Sequence, residues 1–389
     1  MNQAHIVGWS HLPFGKFDNL DLEALVSQAT TAALQHAGID AAQVDAVFVG
    51  NGGMGMVREN FISSYPMQAE PGLRFKPATR VENACATGTA AIYQGLAAIE
   101  AGLARTVLVV GAEKMTAASG SEVTAALADA SYVREESGTG LTFPGIFARF
   151  AQAYFDRYGD HGETLARIAA KNHANGARNP LAHMRRDLGF EFCNTVSDKN
   201  PVIAAPLRKT DCSLVSDGAA AMVLMRDDEA RSASRALRFR ARAHVNDFLP
   251  MSRRDLLAFE GPRRAWQQAL AQAGIGVRDL SFAEVHDCFT IAELLIYEAM
   301  GLAEPGQGAR LLQDGTVYPE GALPVNPSGG LKAKGHPIGA TGVSMHVSAC
   351  MQLTGTAGDI QVPGATLAGV FNMGGSAVAN CVSILEAVK

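Results

Sequence analysis

The sequence predicts an α/β fold made of two related halves with an inserted loop domain, on three observations. Short apolar runs alternate with helical periodicity, which implies sheets covered by helices on both faces. The chain echoes itself in the same order across its two halves. A long segment between the echoes has a different character from either half.

Taken in order, Leu22–Ala37 and Thr87–Ala101 carry helical periodicity, and Val44–Gly50 and Arg105–Gly111 read as buried strands. Ala33-Leu34-Gln35-His36-Ala37-Gly38-Ile39 is echoed by Ala269-Leu270-Ala271-Gln272-Ala273-Gly274-Ile275, each a helix, a glycine stop and a link into a strand. The second of those strands is Phe282–Val285. Ala86-Thr87-Gly88 pairs with Ala340-Thr341-Gly342, and Asp217-Gly218-Ala219-Ala220-Ala221 with Gly374-Gly375-Ser376-Ala377-Val378. Two such halves place equivalent loops around a shared pseudo-twofold axis, with a site between them. Residues 1–117, completed by 206–235, form the first half, and 236–389 the second. Residues 118–205 are the insertion: Gly120–Gly140 is rich in small residues, Leu141–Phe155 is apolar and aromatic, and Asn172–Arg186 mixes Asn, His, Pro and Arg. So many aromatics exclude a disordered linker, and such an insertion is expected to shape a substrate site.

Composition removes several function classes. A chain of 389 residues that is 48% hydrophobic can bury a large core. Its 33 basic and 38 acidic residues give a net charge of -5, and no long basic run offers nucleic acid a local field. No apolar run reaches the roughly 20 residues of a membrane span, and the start lacks a signal peptide's blocks, so a soluble, unexported, cytoplasmic protein is expected. Six cysteines without close pairs resemble neither a disulfide framework nor a zinc cluster, and no metal is expected.

Three segments carry chemistry. Cys85 lies in Asn83-Ala84-Cys85-Ala86-Thr87-Gly88, ahead of a helical run. At a helix N-terminus the dipole and free N–H groups favour a thiolate and can hold an oxyanion; the ordinary alternative is a small buried hydrophobe. That alternative is the reading adopted for Cys193, Cys212, Cys350 and Cys381. His336, in Gly335-His336-Pro337-Ile338-Gly339-Ala340-Thr341-Gly342, is held by glycine and proline in a loop and suited to take a proton from a nucleophile. In His286-Asp287-Cys288-Phe289, alternation past the strand turns His286 and Cys288 to one side and Asp287 to the other; a buried cysteine beside a backbone-bonded histidine is the competing reading.

These segments, with Ser216–Ala221 and Asn372-Met373-Gly374-Gly375, resemble the thiolase superfamily from the first strand to the last residues. The His-Asp-Cys-Phe motif is similar to that of the sterol-carrier-protein-type thiolases. Ordinary thiolases have Asn-Glu-Ala-Phe there and a second catalytic cysteine in a C-terminal Cys-x-Gly, where this chain has Asn372-Met373-Gly374.

The resemblance implies five αβαβα layers, a homodimer or homotetramer, and acyl-CoA and CoA as substrates without a permanently bound cofactor. It implies Cys85 as nucleophile, His336 as its activator, Cys288 as acid/base, an oxyanion hole from His286 and His336, and a second from the N–H groups of Cys85 and Gly374. The implied activity is cleavage of a 3-ketoacyl-CoA by CoA, or the reverse condensation, through an acyl-cysteine. Lyases of retro-aldol type, acyltransferases for non-CoA acceptors working with a small partner subunit, and non-catalytic acyl-CoA or lipid binders are the alternatives. Phe143, Phe147 and Phe150 are expected as pocket walls. Arg185-Arg186, Arg208-Lys209 and Arg253-Arg254 are available to coenzyme phosphates, but a solvated charge pair is the reading adopted for each.

Overall fold

The computed structural model describes residues 3–388. The strands are β1 (Ala4–His11), β2 (Ala46–Gly50), β3 (Ala78–Val81), β4 (Thr106–Lys114), β5 (Val202–Ala204), β6 (Leu207–Arg208), β7 (Asp217–Arg226), β8 (Leu237–Asn246), β9 (Phe282–Val285), β10 (Leu367–Gly374) and β11 (Ala379–Ala387). Nine of them hydrogen-bond in the order β3-β2-β4-β7-β1-β8-β11-β10-β9, while β5 and β6 form a separate ribbon.

Each half repeats one pairing scheme. In the first, β2 runs parallel to β3 and β4, and β7 is antiparallel to both β4 and β1. In the second, β9 runs parallel to β10 and bridges in parallel to Val325, and β11 is antiparallel to both β10 and β8. The halves join where β1 meets β8 through His5–Arg238 and Ile6–Leu237.

Helices complete five layers. Leu22–Ala37 covers β1 and β7 on one outer side, and Glu260–Ala273 covers β8 and β11 on the other. Both end on a left-handed glycine, Gly38 (φ 69°) and Gly274 (φ 66°), which is the helix stop read from the first echo. Between the halves the Thr87–Glu100 and Ile338–Leu353 helices pack on each other. A Cβ on Gly88 would stand 2.7 Å from the Val343 nitrogen, and one on Gly342 2.2 Å from the Thr89 nitrogen. The repeated Thr-Gly pair therefore lets two helix starts touch backbone to backbone at the site. The third echo joins unlike places: Asp217–Ala221 opens β7, whereas Gly374–Val378 is the turn ahead of the equivalent strand, β11.

Two strand limits differ from the sequence expectation. Val44 closes a 3₁₀ turn over Ala41–Gln43, so β2 starts at Ala46, and pairing with β7 carries β4 on to Lys114. Between β4 and β7 come the helices Gly120–Ala128, Phe143–Tyr158 and Gly162–Arg178. Phe143, Ile146, Phe147, Phe150 and Tyr154 form the buried stripe of the second. No helix among the described residues is long and apolar enough to cross a membrane.

Candidate active site

Cys85 sits on a tight turn between β3 and the Thr87–Glu100 helix. Ala84 adopts φ 47°, a left-handed conformation that costs a non-glycine residue roughly 1 kcal/mol or more. The turn is held by Ala86 N–H to the Asn83 carbonyl (3.0 Å), Thr87 N–H to the Ala84 carbonyl (3.1 Å) and Asn83 N–H to Thr87 Oγ1 (2.8 Å). His336 follows Gly335, whose φ of 113° and closeness to Ser216 Oγ (2.7 Å from an added Cβ) admit no side chain. Cys288 lies just ahead of the buried Thr290–Ala299 helix, as Cys85 lies ahead of its own.

The fold brings these distant segments together. The Cys85 sulfur and a ring nitrogen of each of His286 and His336 lie within 4.8 Å of one another, the one such group of potential metal ligands among the described residues. Sequence spacing gave no sign of this trio, because its members come from three separate segments. Cys85, Cys288 and His336 line one mainly apolar cavity of about 140 Å³. Met115, Val123, Leu127, Phe143, Pro144 and Phe289 complete much of its wall. Phe147 and Phe150 stand behind that wall, Phe147 stacking on Phe289 with ring centres 4.5 Å apart. Asp287 points away, as alternation predicts, and accepts from Leu331 N–H (2.6 Å) and Asn172 Nδ2 (2.7 Å).

Hydrogen bonds give the two histidines opposite tautomers. Thr341 Oγ1 spends its one proton on the Pro337 carbonyl (2.9 Å), so toward His336 Nδ1, 2.7 Å away, it can only accept. His336 is thereby protonated on Nδ1, with a lone pair on Nε2. Asn372 is oriented by Thr89 Oγ1, which donates to its Oδ1 (2.8 Å), and by the Cys85 carbonyl, which accepts from its Nδ2 (3.0 Å). The second Nδ2 proton then goes to His286 Nδ1 (2.9 Å), which leaves His286 with a proton on Nε2.

Electrostatics correct the expected thiolate. Burial pushes the Cys85 thiol up to about 12, against the opposing hydrogen bond from the Gly375 N–H. A helix N-terminus supplies at most about 2 kcal/mol, whereas full burial can move a group by several pH units, so desolvation wins. Burial likewise holds His336 down to about 3 and His286 well below the usual imidazole range. It lifts Cys288 well above the thiol range, with nearby Cys85 and Asp287 adding to the effect. The resting site is therefore neutral thiols facing neutral imidazoles.

Residues 4–228 match the thiolase N-terminal domain and residues 243–387 a thiolase C-terminal-like domain. The chain belongs to the thiolase family. An acetyl-CoA acetyltransferase of Methanothermobacter thermautotrophicus is 36% identical over 99% of this thiolase and 100% of its own length. Sterol carrier protein 2 of Oryctolagus cuniculus is 33% identical over 78% of this thiolase, which spans 57% of that longer protein. The solved Ltp2–ChsH2(DUF35) aldolase shares the fold, with a TM-score of 0.85 at 22% identity over 99% of this chain and 98% of its own.

The roles of four residues around the thiolase site escaped the sequence reading, although three of them lie in its motifs. Asn372 and Thr341 set the tautomers, and the Gly375 N–H, next to the expected Gly374, is directed at the Cys85 sulfur. Buried Glu113 accepts from Gly52 N–H (2.8 Å), Gly339 N–H (3.0 Å) and Asn51 Nδ2 (2.9 Å), clamping the loop after His336 to the first half. Of the cationic pairs, Arg208 is engaged with Asp211, and Arg254 with Ser376. Arg185, Arg186 and Lys209 are exposed.

Proposed function

We propose that the chain is a thiolase-type acyltransferase that cleaves a 3-ketoacyl-CoA with CoA, or condenses two acyl-CoA molecules, through an acyl group on Cys85. The observation that carries the reading is the pair of opposite histidine tautomers around one thiol, with a second thiol in the same cavity.

In this mechanism the Cys85 proton passes to His336 Nε2 as the sulfur attacks the 3-keto carbonyl. The Gly375–Gly374 turn and the Cys85 N–H stabilise the oxyanion, a contribution of about 3 kcal/mol per donor in sites of this kind. Collapse breaks the C2–C3 bond and leaves the electron pair delocalised onto the thioester oxygen. The Nε2–H of His286 donates to that oxygen, joined by the Nε2–H that His336 has just acquired. Cys288 protonates C2, and acetyl-CoA departs. The incoming CoA thiol returns a proton to Cys288 and takes the acyl group, and Cys85 recovers its proton from His336. CoA enters only as a substrate, and the cycle calls for no bound cofactor.

The reading extends to a homodimer. β3 is an edge strand, and Phe75 and Phe61 near it are 92% and 83% exposed. An unpaired edge with large apolar side chains invites a second copy. Six free thiols suit a reducing cytoplasm.

Intact-protein mass spectrometry with peptide mapping, after brief incubation with 3-ketoacyl-CoA thioesters, tests the activity. An adduct on Cys85 that free CoA discharges, with acetyl-CoA released, is expected; the absence of any adduct on folded protein overturns the reading.

A further inference from the structure

Three buried asparagines, Asn172, Asn175 and Asn179, run along the insertion's Gly162–Arg178 helix and its cap. Spacings of three and four residues place them in one stripe. Asparagine seldom fills a buried stripe, and where it does its polar atoms must be bonded. Asn175 Nδ2 donates to the Asn326 carbonyl (3.0 Å) and Asn179 Nδ2 to the Ser328 carbonyl (2.8 Å), which docks the insertion on the second half.

Asn172 is used differently. Its Oδ1 accepts from Lys171 Nζ (2.6 Å), a group that can only donate, so the amide is fixed with Nδ2 turned the other way. One Nδ2 proton goes to Asp287 Oδ2 (2.7 Å) and the other to Glu293 Oε2 (2.6 Å). The two carboxylates flank Cys288 in the chain, Asp287 directly before it and Glu293 in the first turn of the helix after it. Both are fully buried, and two buried carboxylates around one nitrogen repel unless donors lie between them.

The neighbouring bonds join the catalytic segments through this amide. Glu293 also receives Lys171 Nζ (2.9 Å), Asn326 Nδ2 (2.9 Å) and the Tyr297 hydroxyl. Asp287 also accepts from the N–H groups of Leu331 (2.6 Å) and Lys332 (3.2 Å), shortly before His336. A Cβ on Gly330 would stand 2.2 Å from Asp287 Oδ2, so only glycine admits that approach. His286–Phe289 lies outside both β9 and the following helix, and these side-chain bonds, with Ser213 N–H on the Cys288 carbonyl (2.9 Å), hold it in place.

From a single amide whose two protons go to carboxylates on either side of Cys288, we infer that Asn172 is a positioning residue for carbon–carbon chemistry. It acts through Asp287 and Glu293 to hold Cys288 and His286 over the substrate, and so couples the insertion to the acid/base. Its kinetic consequence rests on the proposed thiolase function; the placement of Cys288 does not.

Alkylation by iodoacetamide with peptide mapping tests that placement without turnover. In Asn172→Ala the Cys288 rate should rise about fivefold, as its cover loosens, while the Cys85 rate stays within about twofold of wild type. Single-turnover cleavage of a 3-ketoacyl-CoA should fall about 30-fold, with Cys85 acylation by a simple thioester within about twofold. Asn179→Ala removes a docking bond from the same stripe and should leave both alkylation rates and the ratio of the two steps at their wild-type values. An unchanged Cys288 alkylation rate in Asn172→Ala overturns the inference. So do equal losses in cleavage and acylation, or an equal change in Asn179→Ala, either of which would make the stripe a docking seam alone. Should Asn172→Ala not fold, Asn172→Ser, which keeps one donor, carries the same comparison. A wild-type protein that cleaves no 3-ketoacyl-CoA, with the Cys288 alkylation shift still seen in the variant, would sink the catalytic reading and leave the clamp standing.

Discussion

The ring of His286 stands edge-on to that of His336, with centroids 5.1 Å apart and planes at 84°. Two imidazolium ions could not share that space, and burial keeps both neutral. The arrangement works only because one ring presents a lone pair and the other a proton, and each choice is imposed by a neighbour.

Asn372 makes the choice for His286. Asn372→Asp replaces the donated amide proton with an acceptor, which turns His286 to the Nδ1–H tautomer and removes the donor from the thioester oxygen. The rate of carbon–carbon cleavage should fall about 100-fold or more, while Cys85 acylation by a simple thioester, which forms no enolate, falls much less. Equal losses in both steps would show that Asn372 serves packing alone.

Thr341 makes the choice for His336. In Thr341→Val the Nδ1–H loses its buried acceptor, and the ring is free to protonate Nε2 and lose its basic lone pair. Acylation of Cys85 should slow by about 10- to 100-fold, and Thr341→Ser, which keeps the oxygen, should restore most of the rate. Stopped-flow measurement of the acylation step distinguishes the two variants.

The pH dependence of alkylation separates a neutral thiol from a thiolate–imidazolium pair. With Cys85 raised to about 12 and His336 lowered to about 3, carboxymethylation of Cys85 should climb steadily from pH 6 to 9. A plateau beginning near neutrality would mean a preformed thiolate.

Glu113, like Asp287, is a buried group near the site whose carboxyl is raised to near neutral pH. Burial raises it from 4.5 to about 7, in spite of the N–H donors from Gly52 and Gly339. Between those values the folded state holds a proton that the unfolded state has released. Its contribution is full below the unfolded value and is lost as pH rises through the folded one, amounting to at most about 3 kcal/mol. Glu113→Gln should therefore flatten the fall in stability between pH 5 and 7.5, which urea denaturation at the two pH values measures.

Much of this architecture can be read in the chain because it is periodic. The Gly38 and Gly274 helix stops, the bounds of the Leu22–Ala37 helix and the Phe282–Val285 strand follow from local pattern, and the repeated Thr-Gly is explained by a backbone contact that only glycine allows. The state of the site is not local. The ionisation of Cys85 is set by how completely residues from separate segments, Met56, Met115, Val123 and Ile338 among them, cover it, and Asn372 reaches His286 only through the β10–β9 pairing. A helix N-terminus is visible in sequence, whereas the desolvation that outweighs it is not.

The catalytic cavity wall permits a sharper division among the insertion's aromatics than their spacing did. Phe143 lines the cavity itself, so Phe143→Ala opens space along the acyl path and should extend the accepted chain by two or three carbons in a panel of acyl-CoA thioesters. Phe147 lies one layer back, fully buried and stacked on Phe289, the residue after Cys288. Phe147→Ala should cost about 3–5 kcal/mol of stability, because it removes core volume without enlarging the cavity directly. It should also lower carbon–carbon cleavage more than acylation, since Phe289 would lose the support that holds the neighbouring Cys288 over the substrate. If Phe147→Ala instead broadened chain length as much as Phe143→Ala, the wall would have collapsed inward, and the two rings would form one specificity element.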